Sequence, residues 1–327
     1  MAYSAGDTIL DDEYNTFVTG GADGSATHST ANVNTVWGTG DDTKGYGQTG
    51  DIAAVSAGAT VTATQWNNFL GRIETLAAHQ GSTVTDYAAL TAADTVAALA
   101  TVSTDVTTVY NNRYNAAAVG AAIAGSSVGT NTWTGEQNTT MTLTFASESQ
   151  MEHWFNAGGT VRFSCSRSGG TANNKNTEWT DMMNDLGTIW LSASDSHTVN
   201  SQALTGTTKV GGTGAGGTGT AISSVNFHEL TASYQQLMIF YADTAPYTAN
   251  YIKLEALKSG AVLTLKVRFV DAAADTGNPT YPAGGTNPAS LDNVNGTLTV
   301  AMNAYQPSTS NLTATWGTPT WATTDAL

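Results

Sequence analysis

Apolar residues recur at helical spacing in two stretches of the N-terminal third of the chain. The first stretch runs from about Ala63 to His79. Thr62 and Gln65 are spaced as a capping box before it, and Gly81 is placed as its stop. The second stretch runs from Ala92 to about Tyr114 and carries a stripe made of Leu99, Val102, Val106 and Val109. The stripe permits a short coiled-coil seam for self-association, but its flanks are rich in threonine, which favours a helix packed on its own domain.

Beyond residue 131 apolar residues alternate with polar ones, which is the period of half-buried strands. The turn at Ser259-Gly260 between two such segments predicts a tight hairpin. Two short helices are predicted between strands, one after the capping pair Ser147 and Gln150 and one around Trp179. The predicted strands are Thr140–Phe145, Val161–Cys165, Thr188–Leu191, Tyr234–Tyr241, Tyr251–Leu257, Val262–Val270 and Gly296–Met302.

The order of these elements predicts a mainly β protein with an α-helical N-terminal part, an α+β chain. We expect its C-terminal module to be an antiparallel β-sandwich or jelly roll with short helical insertions. A chain of 327 residues is long enough for two domains, so we predict separate cores. The predicted divisions are a duplicated region over 1–82, a helical connector and linker over 83–131, and a β-rich domain over 132–327. The small-residue segment 116–131 is the linker itself.

One motif occurs twice in the N-terminal region. Ser4–Ile9 leads into Glu13–Phe17, and the matching Ser56–Val61 leads into Gln65–Phe69. Trp37 and Tyr46 lie between the copies, in glycine-rich segments that offer them no local burial. We therefore expect residues 1–82 to hold an attachment surface. The candidate assembly contacts are Trp37, Tyr46, Trp66, Phe69, Leu99, Val102, Val106 and Val109.

Charge is sparse and acidic along the chain. Only 11% of residues are charged, and 26 acidic against 11 basic residues give a net charge of −15. The basic residues are scattered singly, whereas a phosphate backbone needs clustered Lys and Arg, so we exclude nucleic acid as a partner. The opening residues show no basic segment followed by a long apolar run. We therefore expect no signal peptide and no membrane span. Cys165 is the single cysteine, and we expect it to be a small buried residue on a strand.

Several patterns suggest chemistry, and each has a simpler structural explanation. Gly212–Gly217 satisfies G-x-G-x-x-G, but it lies in a threonine and glycine tract that predicts a flexible surface loop. Asp292–Gly296 lacks the ligands of a calcium loop and predicts a turn, while Asp11-Asp12-Glu13 suits the first turn of a helix. The five histidines never occur at metal-ligand spacing, and no G-x-S-x-G elbow is present. We therefore predict no enzymatic activity, no cofactor and no metal.

Five segments taken together point to a family. They are Ser4–Ile9, Val36–Gly40, Lys44–Thr49, Ser56–Ile73 and Gly158–Ser164. In this combination the chain resembles virion structural proteins of tailed marine bacteriophages. The resemblance implies a non-enzymatic component whose N-terminal region docks on the particle while the β domain projects as a fibre, knob or spike, or decorates the surface. It also implies a homotrimer, contacts with other virion proteins, and a place in the virion after synthesis in the host cytoplasm.

An alternative function is binding of a host receptor or surface glycan during adsorption. Its candidate residues are Trp316 and Trp321, two aromatic residues near the C-terminus that threonine and glycine surround. As surface aromatics they could stack on a sugar, or they could lie on a strand that pairs with a neighbouring subunit. We favour the strand.

Overall fold

The computed structural model of the chain describes residues 11–91, 94, 99–130, 132–133, 135–272 and 293–327. Ser4–Ile9, most of the start of the second predicted helix, and Asp292 of the candidate calcium loop lie outside the described residues. Within the described residues the protein is mainly β, with antiparallel sheets and six α-helices. The predicted fold class is confirmed at this level.

The described residues of the N-terminal part form four helices. The helix predicted from Ala63 is present with its capping box, in which Thr62 and Gln65 bond each other reciprocally. It ends at Gly81, whose φ of 70° places it in the left-handed region that favours glycine. The four helices are α1 (Asp11–Thr19), α2 (Val33–Trp37), α3 (Ala63–Gln80) and α4 (Leu99–Asn111).

Helix α4 packs on its own chain. Val102, Val106 and Val109 of the predicted stripe are buried, and α4 contacts α2 and α3. The stripe therefore fills the interior of the protein, and packing on its own domain is confirmed. The alternative seam for self-association is wrong, because these side chains already have intramolecular neighbours.

The first sheet is antiparallel and has five strands, in the order β1-β12-β3-β4-β7. Strand β1 occupies most of the segment 116–131, which we predicted as a linker, so that prediction is wrong. From Ile123 to Gly129 its residues alternate between exposed and less exposed positions, and the strand pairs with β12 from Val119 to Gly129. The strands are β1 (Val119–Gly129), β12 (Thr297–Pro307), β3 (Thr160–Ser168), β4 (Thr188–Leu191) and β7 (Thr207–Val210).

The second sheet has six strands, in the order β13-β2-β11-β10-β9-β8. The predicted hairpin is confirmed, because Ser259 pairs with Val262 across a two-residue turn. The strands are β13 (Thr320–Asp325), β2 (Gly135–Thr144), β11 (Val262–Asp271), β10 (Tyr251–Ser259), β9 (Gln235–Tyr241) and β8 (Ala221–Ile222). A separate hairpin joins β5 (His197–Val199) to β6 (Gln202–Leu204).

Two helices interrupt the strands, as predicted. They are α5 (Glu148–Asn156) and α6 (Asn174–Leu186), and both bury their aromatic residues. Ser147 caps α5 by accepting the backbone N–H of Gln150. The Gln150 side chain donates to the Thr315 carbonyl. It thus ties α5 to the C-terminal segment.

The main apolar core is continuous. It extends from Tyr14 in α1 to Trp316 near the C-terminus, with a small satellite cluster around Trp190. Phe69 of α3 and Phe163 of β3 belong to the same cluster, so the expectation of two separate cores is wrong. The N-terminal helices bury their apolar faces against the rest of the chain as well as against each other.

Candidate functional site

The two copies of the repeated motif face each other. Phe17 of α1 stacks on Phe69 of α3, the residue that matches it in the second copy, with ring centroids 5.9 Å apart and planes 3° apart. Tyr14 lies 6.1 Å from Trp66, which is again its counterpart. Contact between equivalent residues is typical of a symmetric interface, here formed within one chain. The helices of the two copies therefore pack against each other.

The equivalent asparagines of the two copies, Asn15 and Asn67, make the same kind of hydrogen bonds. The side-chain amide of Asn15 donates to the Val55 carbonyl at 3.0 Å and accepts the Val55 N–H at 2.8 Å. Its counterpart Asn67 makes the same two bonds with Leu90, both at 2.9 Å. Each asparagine thus pairs with a distant residue as a neighbouring strand would. We call this arrangement an amide clip.

The glycine-rich segments between the copies are interior connections. The hydroxyl of Tyr46 accepts the Nε2–H of Gln80 at 3.0 Å, and its ring lies 5.1 Å from the His79 ring. Gln48 forms an amide clip with Thr313, donating to its carbonyl at 2.9 Å and accepting its N–H at 2.8 Å. These contacts join the N-terminal region to the end of the chain.

Gly45 and Gly47 let the same segment approach α5. The Gly45 carbonyl lies 2.8 Å from Nδ1 of His153 and accepts the Asn156 amide at 2.9 Å. Gly47 has a φ of 66°, and a Cβ at this position would lie 2.6 Å from the His153 ring. Glycine is therefore required at position 47 by both conformation and space.

Most of the predicted assembly contacts are buried within the chain, which corrects the sequence prediction. Trp37 and Leu99 alone of that set are half-buried. Aromatic and aliphatic side chains that fill a core are unavailable to a partner unless the fold opens. The buried members, each at most 1% exposed, are Tyr46, Trp66, Phe69, Val102, Val106 and Val109.

The two C-terminal tryptophans differ in burial. Trp316 is 1% exposed, so it is not a surface aromatic. Trp321 is half-buried on β13 and donates its Nε1–H to the Ile123 carbonyl at 3.0 Å. The predicted strand exists, but it pairs with β2 of the same chain. Strand β13 lies at the edge of its sheet, so pairing with a neighbouring subunit along the other edge stays a prediction.

A polar cavity of about 350 Å³ lies beside the paired repeat helices. Gln65, Asn68 and Arg72 follow one another at steps of three and four on α3, so they share one face of the helix. Tyr14 comes from α1, and the segment 50–53 closes the opposite side. The lining residues are Tyr14, Gly50, Asp51, Ile52, Ala53, Gln65, Asn68 and Arg72.

Charged and phenolic groups in this cavity are held in defined states. The Arg72 guanidinium lies 3.6 Å over the Trp37 ring, and it donates to the Gly50 carbonyl at 3.1 Å. Burial lowers the pKa of Arg72 to about 10, which leaves it cationic at neutral pH. Burial raises the pKa of Tyr14 to about 12, so its hydroxyl keeps its proton. Partial desolvation also raises the pKa of Asp51, against the attraction of Arg72 and His28.

A second cavity, of about 460 Å³, lies beside the start of α6 and is lined mainly by Asn, Thr and Gly with Arg167. Near it the carboxylates of Glu178, Asp181 and Asp243 have oxygens within 4.8 Å of one another. Desolvation and the neighbouring carboxylates raise the pKa of Glu178 and of Asp181. The three could hold a divalent cation, but two of them are exposed, and exposed acidic groups of this kind need no ion.

Buried charges also meet at the interface between α5 and β10. Nδ1 of His228 lies 2.8 Å from Oε2 of Glu152, and its Nε2 lies 2.8 Å from Oδ1 of Asn156. Lys258 donates to Glu152 from β10. These contacts lower the pKa of Glu152, although desolvation opposes them. This network holds α5, the turn at Phe227–Glu229 and β10 together.

The remaining sequence motifs have structural roles. The tract 212–219 packs on α6 and β9, with Thr213 donating to the Asp185 carboxylate and Gly217 donating to the Tyr241 carbonyl at 2.8 Å. Strand β8 follows the tract, whereas a dinucleotide site needs a helix there. Cys165 lies on β3 as predicted, but it is half-buried where we expected a buried residue. Desolvation raises the pKa of its thiol.

Comparison with protein-family models, curated proteins and solved structures finds no match to this chain. Among the helices of the described residues, none combines the length and apolar character needed to cross a bilayer.

The cavity beside α3 was missed from the sequence although a signal was present. Gln65, Asn68 and Arg72 form a polar stripe at helical spacing, next to the apolar face that we used to predict the helix. A polar stripe on a surface helix usually faces water. Only the fold shows that Tyr14 and Asp51 lie opposite it.

Proposed function

We propose that the chain is a non-enzymatic structural component of a bacteriophage virion. The observation that carries the proposal is the set of segments that resemble phage virion proteins. Val36–Gly40, Lys44–Thr49 and Ser56–Ile73 contain the core residues Val36, Tyr46 and Phe69 and the clip residues Gln48 and Asn67. Residues with such contacts are constrained by the fold. The resemblance therefore lies in elements that determine structure.

The arrangement of the two sheets supports a more specific architecture. Strand β1 contacts β13, and β7 contacts β8, so the edge strands of one sheet adjoin those of the other. Apolar residues alternate along β11 and β12, and both strands contribute to the shared core. We infer a β-sandwich of jelly-roll type with α5 and α6 as insertions.

We propose that surface residues of the N-terminal region attach the protein to the particle. Trp37 and Leu99 keep part of their apolar surface exposed among the predicted contacts. We propose that this surface contacts other virion proteins, and that the protein forms a trimer through surfaces other than α4.

The proposal is tested on purified particles of the phage that encodes the chain. Mass spectrometry should find the chain in the particles at a fixed ratio to the capsid protein, and averaged images should place it at a symmetric position. Trp37→Ala should reduce its incorporation while the purified variant stays folded. Tyr234→Ala, which changes an exposed aromatic of the β region, serves as the matched control. A chain found only in the soluble fraction of the lysate would overturn the proposal.

Oligomeric state is measured separately by light scattering on the purified protein. A trimer is expected, and Val102→Ala should lower stability without changing the mass of the assembly, because Val102 is buried in each chain. A monomer both in solution and in the particle would refute the trimer.

A further inference from the structure

A lysine and an aspartate meet in the interior of the protein, where α6 adjoins the end of β11. Nζ of Lys175 lies 2.9 Å from Oδ2 of Asp271, and the two side chains are 1% and 0% exposed. Lysine is almost never fully buried unless it is paired, and Lys175 is the one lysine among the buried residues that the structure describes. An amine and a carboxyl group are therefore held in contact away from water.

The surroundings of this pair are aromatic. Trp179 lies one turn after Lys175 on α6, and Phe269 shares the buried face of β11 with Asp271. Both aromatic side chains are fully buried, and their ring centroids are 6.3 Å apart. Trp133 adds a second indole, 5.7 Å from the Trp179 ring. The helix and the strand thus place the two polar groups beside an apolar cluster.

Such surroundings favour reaction over a lasting ion pair. Removing two charges from water costs about as much free energy as their attraction returns, so a buried ion pair adds little stability. Transfer of one proton from the ammonium group to the carboxylate gives a neutral amine and a neutral acid, which an apolar interior accommodates better than ions. A neutral amine is a nucleophile, and contact with the carboxyl group removes most of the entropic barrier to its attack.

We propose that Lys175 and Asp271 condense to an intramolecular isopeptide bond once the chain has folded. Nζ of Lys175 attacks Cγ of Asp271, a C–N bond forms, and one C–O bond of the carboxyl group breaks. That oxygen leaves as water with two of the three ammonium protons, and the third proton stays on the amide nitrogen. Atoms and charge balance within the pair, so the step needs no further reactant.

The bond would link α6 to β11 across 96 residues of sequence. The single cysteine of the chain cannot form a disulfide within it, and an isopeptide bond supplies the same kind of covalent constraint on the unfolded state. The proposal does not rest on a place in the virion. Absence of the chain from particles would leave it untouched.

Mass spectrometry of the full purified chain tests the proposal. The intact mass should lie below that of the sequence by one water molecule. Trypsin should fail to cut after Lys175, and the digest should contain a branched peptide in which Lys175 is joined to Asp271. Lys253 is the matched control, because its Nζ lies 2.6 Å from Oε1 of Glu255 while both side chains remain partly exposed. Lys253 should stay unmodified.

A double variant separates the bond from the fold. Lys175→Met with Asp271→Leu removes both charges and keeps side chains of similar size, so this variant should fold. Its intact mass should equal that of its own sequence, because neither reacting group is present.

Three results would overturn the proposal. The first is a folded wild-type chain of full mass that trypsin cuts after Lys175 once it is denatured. The second is a loss of water that persists in the double variant. The third is a loss of water that maps to Asp23-Gly24, where an aspartate can close on its own backbone to a succinimide.

Discussion

The helical region and the two sheets satisfy their backbone polar groups in different ways. In the sheets, continuous ladders do so, as between β10 and β11 from Tyr251 paired with Val270 to Ser259 paired with Val262. In the segments that connect the N-terminal helices, single side chains take the place of a ladder. Asn15, Asn34 and Asn67 each pair with both backbone groups of a distant residue. A ladder spreads its hydrogen bonds over many residues. A clip concentrates two of them on one residue, so the helical region should be more sensitive to single polar substitutions.

The largest expected effect is on pH dependence, to which the helical region and the separate hairpin of β5 and β6 both contribute. Burial lowers the pKa of His79 in α3 and of His197 in β5 to about 4. The unfolded chain therefore binds more protons than the folded one between about pH 6.5 and pH 4. Stability is fully present above pH 6.5 and falls as the pH drops toward 4, by on the order of 3 kcal/mol for each histidine.

Urea unfolding at a series of pH values measures this loss. His79→Gln and His197→Gln should each flatten the curve in that window by a similar amount, although the residues lie in different regions. If His79→Gln alone flattened it, the two regions would be unfolding separately.

The next effect concerns Tyr46, which we first expected to contact a partner. Tyr46→Ala should destabilise the whole chain by about 3–5 kcal/mol, because it leaves a cavity in the core where the N-terminal segment meets α3. Tyr46→Phe keeps the ring and loses only the acceptor for Gln80, at a cost of about 1 kcal/mol. Thermal and urea unfolding give both values. A normal stability for Tyr46→Ala would return Tyr46 to the role of a surface contact.

The amide clips give a direct contrast between the regions. Asn15→Ala should lower the free energy of unfolding by about 2–3 kcal/mol, because it leaves both the buried N–H and the buried C=O of Val55 without a hydrogen-bond partner. Asn67→Ala should cost less, since its clip to Leu90 is only partly buried. Thr264→Ala in β11 leaves every ladder bond in place and should cost less than about 1 kcal/mol. All three losses are measured by urea unfolding. Equal losses of stability for Asn15→Ala and Thr264→Ala would show that the helical region is no more sensitive to single substitutions than the sheets.

A smaller effect separates two glycines that share a left-handed backbone. Gly47→Ala should cost about 2 kcal/mol, since a Cβ adds a collision with His153 to the strain of its conformation. Gly260→Ala, in the hairpin of β10 and β11, has open space around it and should cost about 1 kcal/mol from the backbone alone. The difference between the unfolding midpoints of the two variants measures the cost of the collision between the added Cβ and the His153 ring of α5. A zero difference would mean that the His153 ring moves aside freely.

The sheet region was largely predictable from sequence because its signal is local. Thr188–Leu191 was predicted to the residue, and the hairpin at Ser259-Gly260 follows from period two and a tight turn. Strand β1 was missed, since its alanines, glycines and serines give no hydrophobic alternation. It becomes a strand through pairing with β12, which lies far away in sequence.

The helical region shows what sequence patterns omit. The capping box and stop of α3 were predicted because both are local. Trp66 lies on the apolar face that was predicted to be buried, but its contact with Tyr14 of the other copy was not predicted. The burial of Tyr46 was not predicted either, because its neighbours come from α3. The cavity at Arg72 was missed for the same reason. Contacts between segments tens of residues apart leave no periodic trace in either segment.

The central claim is that the repeated helices and the sheets form one cooperative unit, joined by the shared apolar core and by the clip between Gln48 and Thr313. Hydrogen exchange followed by mass spectrometry, across a urea series, tests it with peptides from α3 and from β11. The account predicts that both lose protection at the same urea concentration, and that Asn15→Ala shifts both midpoints together. Loss of protection in α3 at a lower concentration, while β11 stays protected, would contradict it and restore the N-terminal region as a separate attachment domain.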